Sequence, residues 1–128
     1  MKKMKELIAG KYVERKSRFF THLYEINDES EIINILKSHR AKYKKANHHV
    51  FAILIKDNDK IILEKSNDDG EVGHPGRILM EILKKYNLSK NIIVVSRIFG
   101  GIKLGIGGVS KAFKNAADET ISYYKKQN

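Results

Sequence analysis

Four consecutive β-branched residues, Ile92-Ile93-Val94-Val95, run almost directly into RIFGGIKLGIGG, Arg97 to Gly108, which places five glycines in twelve residues. An apolar run without alternation reads as a strand buried on both faces, which puts it in the middle of a sheet. The glycines end that strand, because no regular element tolerates so many. Beyond them Val109, Ala112, Phe113, Ala116, Ala117, Ile121 and Tyr124 recur at helical spacing, with small alanines that allow close approach to a sheet. A central strand, a glycine loop and an amphipathic helix therefore frame the rest of the fold.

The preceding residues supply the rest of the sheet. Residues 11–26 read as one or two strands, with Phe20, His22, Tyr24 and Ile26 on one face and a turn near Lys16-Ser17. Asp28 and Glu31 resemble a capping box, followed by a helix to about Lys44 whose stripe is Ile32, Leu36 and Tyr43. Val50–Ile55 and Ile61–Leu63 flank Asp57-Asn58-Asp59 as a hairpin. Pro75 opens a second helix carrying Ile78, Leu79, Ile82, Leu83 and Tyr86, and Asn87 closes it in a left-handed conformation. This order predicts an α/β (α+β) two-layer sandwich, with helices packed on one face of a sheet. The 128 residues contain one proline and no repeat or linker, so one domain over 1–128 is expected.

Composition narrows the chemistry. Cysteine is absent, which removes disulfides, thiolate metal sites and cysteine nucleophiles. No apolar run approaches the ~20 residues of a membrane span, and the N-terminus lacks the pattern of a secretory signal. A cytoplasmic protein with no membrane partner is expected. The net charge of +10 concentrates in Lys2, Lys3, Lys5, Lys11, Arg15, Lys16 and Arg18, in Arg40, Lys42, Lys44 and Lys45, and in Lys125 and Lys126. Such a balance favours polyanions through steering and counterion release, and it also serves solubility.

The glycine loop fails the P-loop pattern, since Gly105 is followed by Ile106-Gly107 rather than Lys-Ser/Thr. It fits the dinucleotide pattern at Gly105 and Gly107 but meets Ser110 where the third glycine belongs. Two readings stay open. Backbone N–H groups at the following helix N-terminus, aided by Lys103 and Lys111, can meet an anion. Alternatively, the glycines serve tight turns and close packing. Ser66-Asn67-Asp68-Asp69-Gly70-Glu71 gathers three carboxylates that can hold a cation, form a plain turn, or pair with Arg97 or Lys103. His48 and His49 are adjacent on a strand and face opposite sides, so they do not share a metal, and at least one is expected to be hydrogen-bonded for structure. Phe19, Phe20 and Tyr43 lie beside basic residues and can stack on bases or fill the core. No Ser/His/Asp set is identifiable from spacing.

Four segments in order resemble the IMPACT, or YigZ, family. They are Lys16-Ser17-Arg18-Phe19, then Ala46-Asn47-His48-His49-Val50-Phe51-Ala52, then Ser66 to Glu71, and finally Val94 to Gly108. After Glu71 the sequence reads Val72-Gly73-His74-Pro75-Gly76-Arg77, shorter than the family's usual stretch. The resemblance implies the fold of the second domain of ribosomal protein S five, also seen in domain IV of elongation factor G. It implies a stress-linked role in translation regulation. Eukaryotic relatives bind an activator of the initiation-factor kinase of amino-acid starvation, and bacterial and archaeal ones look nucleic-acid- or ribosome-associated. Neither the N-terminal RWD domain of eukaryotic relatives nor the C-terminal ferredoxin-like domain of bacterial ones is recognisable.

The expectation is thus a non-enzymatic binding protein contacting RNA, the ribosome or a translation-control protein. The alternative is a nucleotide- or phosphate-binding enzyme that uses the glycine and acidic loops together. The residues expected to meet an anion are Arg97, Gly100, Gly101, Lys103, Gly105, Gly107, Gly108 and Lys111, with Lys16 and Arg18. Asp68, Asp69, Glu71 and His48 are expected to anchor the loop or hold a cation. No catalytic residue, resident metal or cofactor is expected.

Overall fold

The computed structural model describes residues 4–127; Lys2 and Lys3 of the first basic cluster lie outside them. Strands β1 (Lys5–Glu14) and β2 (Ser17–Glu25) form a hairpin, followed by α1 (Glu31–Lys42), the hairpin β3 (His48–Asp57) and β4 (Lys60–Asn67), α2 (Pro75–Lys85), β5 (Asn91–Ile98) and α3 (Gly105–Gln127). The five strands form one antiparallel sheet in the order β1-β2-β5-β3-β4, so the β-branched run lies at its centre.

Local signals account for the connections. Asn58 and Asp59 both take positive φ (50° and 65°), the conformation of a two-residue hairpin turn for which Asn and Asp are suited. The first turn falls on Arg15 and Lys16 (φ 45° and 68°), one residue earlier than the spacing suggests, and Ser17 opens β2. Glu31 reaches back to accept from the Asn27 and Asp28 N–H groups, as a capping-box acid does. Pro75 occupies the first turn of α2, and Asn87 takes φ 51° at its end.

The mixed α+β fold is as expected, and α2 and α3 form the helical layer of the sandwich. Their residues Leu79, Leu83, Val109, Phe113, Ala117 and Ile121 pack on Phe19, Leu23, Val50, Leu54, Ile93 and Val95 of the sheet. Phe113 meets Phe19 edge-on at 5.1 Å between ring centres. One feature differs: α1 covers the opposite face, with Ile32 and Ile35 against Tyr24, Phe51, Ile53, Ile92 and Val94. The reason is that β3 and β5 are apolar on both sides, so the second face also had to be buried. The stripe of α1 is Ile32, Ile35 and His39, with Leu36 half-buried. Tyr43 ends the helix and stacks on Phe20 at 4.5 Å.

The register has one consequence for function. β2 begins, β3 begins and β5 ends at the same edge of the sheet, since Arg18 pairs with Ile98 and His48 with Arg97. The glycine loop, the acidic loop, the Arg15-Lys16 turn and the N-termini of α2 and α3 therefore meet at one end of the molecule. Among the described residues no helix is long and apolar enough to cross a membrane.

Candidate functional site

The centre of that end is Arg97. As the penultimate residue of β5 its side chain lies on the α2/α3 face, 7% exposed, with its guanidinium between the rings of Phe19 and Phe99 at 5.7 and 5.9 Å. Its Nη1 donates to Glu71 Oε2 at 2.8 Å, and the pair is buried. Of the three acidic residues that sequence alone could not rank, Glu71 is the partner of Arg97. Its other oxygen accepts from the Val72 N–H at 3.0 Å. His48 Nδ1 donates to the Asp69 carbonyl at 2.9 Å, and its Nε2 lies 3.6 Å from Glu71 Oε2.

The remaining carboxylates hold backbone. Asp68 Oδ1 accepts from the Gly76 N–H at 2.7 Å and so caps the first turn of α2 from eight residues upstream. Asp69 Oδ2 accepts from the His49 N–H at 2.8 Å, while Asn67 Oδ1 accepts from the Asp69 N–H. The acidic stretch is thus a clamp that ties β3, β5 and α2 together. Among the described residues no three His, Asp or Glu side chains converge as a cation site needs.

The glycines of the loop have different jobs. Gly100 passes so close to the β1–β2 turn that a Cβ there would overlap the Lys16 backbone, and its N–H donates to Ser17 Oγ at 3.2 Å. Gly101 and Gly105 have φ of 91° and 73°, which side chains resist. Gly107 has neither constraint: a Cβ there meets nothing within 4 Å. The structure begins α3 at Gly105, so Gly107 and Gly108 sit in its first turn, which contains no acidic residue.

A groove of about 380 Å³ opens between the loop and the clamp. Arg97, His48, Lys103 and Gly105 line it as the sequence brings them together, joined by Asn47, Val72, Phe99, Leu104, Ile106 and Val109. Asn47 is a tie as well: its N–H donates to the Arg97 carbonyl and its Oδ1 accepts from the Phe99 N–H. Gly108 and Lys111 face a separate shallow groove with Glu14 and Arg15. Lys16 meets the site through its backbone against Gly100, and Arg18 lines neither groove. Phe19 is core, and Phe20 is engaged with Tyr43, so neither ring is free to stack on a base.

Sequence reasoning missed a second polar cluster, on the α1 face. His39 Nε2 meets Tyr24 Oη at 2.8 Å, and His39 Nδ1 meets Ser96 Oγ at 2.8 Å. Ser96 Oγ also lies 2.8 Å from His49 Nδ1. A single hydroxyl proton cannot serve both rings, so one imidazole donates to Ser96 while Ser96 donates to the other. Beside this network, His22 links Glu6 through Nδ1 to the Tyr43 hydroxyl at 2.6 Å through Nε2. Burial lowers all three histidines, His39 to about 3 with the neighbouring His22 and His49 adding to the effect. Burial also raises the Tyr24 and Tyr43 hydroxyls, which stay protonated. The sequence signal was a histidine at a stripe position of α1, seven residues after Ile32 and four after Ile35.

Comparison with known proteins places this geometry in context. The model of the Impact N-terminal domain matches residues 15–121. The IMPACT family member YvyE of Bacillus subtilis is 37% identical over 121 residues, covering 94% of this chain and 55% of that protein. A crystal structure described as a hypothetical protein superposes with a TM-score of 0.82 at 28% identity, over 90% of this chain and 56% of the other. The two-domain translational regulator Yih1 shares the fold, with a TM-score of 0.62 at 24% identity over 93% of this chain and 46% of the other. The chain spans about half the length of the curated bacterial relatives it matches, 53–56%. On the match from residue 15 to 121 and the 37% identity, this chain belongs to the family defined by the Impact N-terminal domain.

Proposed function

We propose that this domain is a non-enzymatic binding module of translation control, acting in the cytoplasm and docking on RNA or the ribosome with the glycine-loop end of its sheet. The observation that carries the reading is the convergence produced by the register. Arg15, Lys16, Arg18, Lys44, Lys45, Lys103 and Lys111 are all exposed around the loops of that end. The N-termini of α2 and α3 add their positive dipole ends there. The net charge of +10 strengthens attraction to a polyanion, and a relative with this fold is described as a translational regulator. The enzyme reading loses its magnesium ligands, because Asp68, Asp69 and Glu71 are each engaged by backbone or by Arg97.

Ribosome co-sedimentation and filter binding with single-stranded RNA test this. Affinity is expected to fall about tenfold or more between ~50 and ~200 mM salt, as several phosphate contacts require. Charge reversal at Arg15, Lys103 and Lys111 together is expected to flatten that dependence while the melting temperature holds. Absence of binding to both at the lower salt would sink the reading.

A further inference from the structure

The groove at the centre of the docking end has a composition that points to a narrower ligand. Its free polar groups are donors. Lys103 stands at its rim, and the first-turn N–H groups of α3 open beside it. The Asn47 oxygen is taken by Phe99, which leaves the amide N–H groups to face outward. Arg97, more than nine-tenths buried, lines the groove, and its Nε has no hydrogen-bond partner. The acceptor that would balance them, Glu71, is already occupied by Arg97 and Val72. A lining of donors calls for an anion.

The walls are apolar. Val72, Phe99 and Ile106 are 47%, 45% and 66% exposed, and Leu104 and Val109 lie between them. A phosphodiester with its ribose offers nothing to such walls. The free C-terminus of a polypeptide does, since its carboxylate and its last side chain leave the same carbon and reach the N–H groups and the apolar wall together. The volume, about 380 Å³, suits one or two side chains. Gly107 adds an independent observation. It sits in the first turn of a helix where alanine is the better residue, its φ needs no glycine, and nothing in the folded protein occupies the space of its missing Cβ. Backbone left bare toward open space is what close approach of a ligand requires.

We propose that the Asn47–Phe99–Gly105 groove binds the free C-terminus of a partner polypeptide whose last residue carries a branched or aromatic apolar side chain. This rests on the reading of the glycine-loop end as the docking end and adds what its central groove accepts. The carboxylate sits against the α3 N-terminus and Lys103, and the side chain enters between Val72, Phe99 and Ile106.

Fluorescence anisotropy tests this with labelled Gly-Ser peptides ending in Leu, Ile, Val, Met or Phe, each made as the free acid and as the C-terminal amide. At least one free acid is expected to bind, and its amide to bind about tenfold or more weakly, the loss of one charge-assisted hydrogen bond. Gly107→Ala is expected to weaken the free acid by a similar factor with a melting temperature unchanged or raised. Equal affinity for acid and amide, no binding of any free acid at millimolar peptide, or a Gly107→Ala protein that binds as well as the parent overturns the proposal. If no peptide binds and Gly107→Ala instead weakens single-stranded RNA, the groove holds phosphate; the C-terminus proposal then fails and the RNA reading stands. Peptide binding without any ribosome or RNA affinity gives the reverse outcome.

Discussion

At the scale of single residues, Arg97 and Glu71 couple the two loops. Both are buried, so removing one leaves the other as an uncompensated charge. Glu71→Ala is expected to lower stability by about 3–5 kcal/mol in urea unfolding. Replacing the pair together with Met and Leu is expected to recover most of that loss, because the desolvation penalty goes with the charges. The loop glycines give an opposite pair of outcomes. Gly100→Ala drives a methyl into the Lys16 backbone and is expected to destabilise by about 1–3 kcal/mol. Gly107→Ala meets open space in a helix and is expected to raise stability by up to ~1 kcal/mol. Sequence spacing could not separate these glycines, since their difference lies in what other segments bring near them.

Among the elements, α1 is the one tuned by pH. Its His39 lies in a network with Tyr24, Ser96 and His49, and His22 stands beside it at 4.6 Å between ring centres. Other charged groups around the cluster are Glu6, Arg40, Lys42, His48 and Asp69; Glu6 and Asp69 favour the protonated rings, and the cations oppose them. Burial outweighs the carboxylates, so the folded histidines hold their protons less well than the ordinary value of 6.5, His39 only near 3. Their contribution to stability is complete above pH 6.5 and is lost as pH falls below it, because the unfolded protein then takes up protons that the folded one refuses. The loss per histidine approaches about 1.4 kcal/mol for each pH unit. Urea midpoints measured from pH 7.5 down to pH 4.5 are expected to fall accordingly. His39→Gln is expected to start lower and to show a shallower slope; an unchanged slope would remove His39 from the effect. The face and spacing of α1 were readable from Ile32 and Leu36. That His39 belonged to a polar network was not, because Ser96 is 57 residues away.

Across the whole molecule, one sheet is buried on both faces, and its larger core is shared by β2, β3, β5, α2 and α3. Phe113 joins these elements through Phe19, so Phe113→Ala is expected to cost about 3–5 kcal/mol. The loss is expected to appear in a single unfolding transition for the domain rather than as local melting of α3. The convergence of loops, helix N-termini and exposed cations at one end is also a property of the whole molecule. It follows from which strand edges align and is written in no single segment.

Much of the fold followed from local signals, since hydrophobic period, β-branching and turn residues act within a few positions along the backbone. The central strand at Ile92–Val95, the turn at Asn58-Asp59, Pro75 opening a helix and Asn87 closing it are of this kind. The sequence by itself also determined that the glycine loop joins strand to helix, and that cations crowd its neighbourhood. Only the tertiary structure decided that α1 crosses to the opposite face, that Glu71 rather than Asp68 or Asp69 meets Arg97, and that Lys111 faces away from the groove. Those outcomes depend on side chains tens of residues apart being held within about 3 Å, a distance set by the register of the sheet and not by spacing along the backbone.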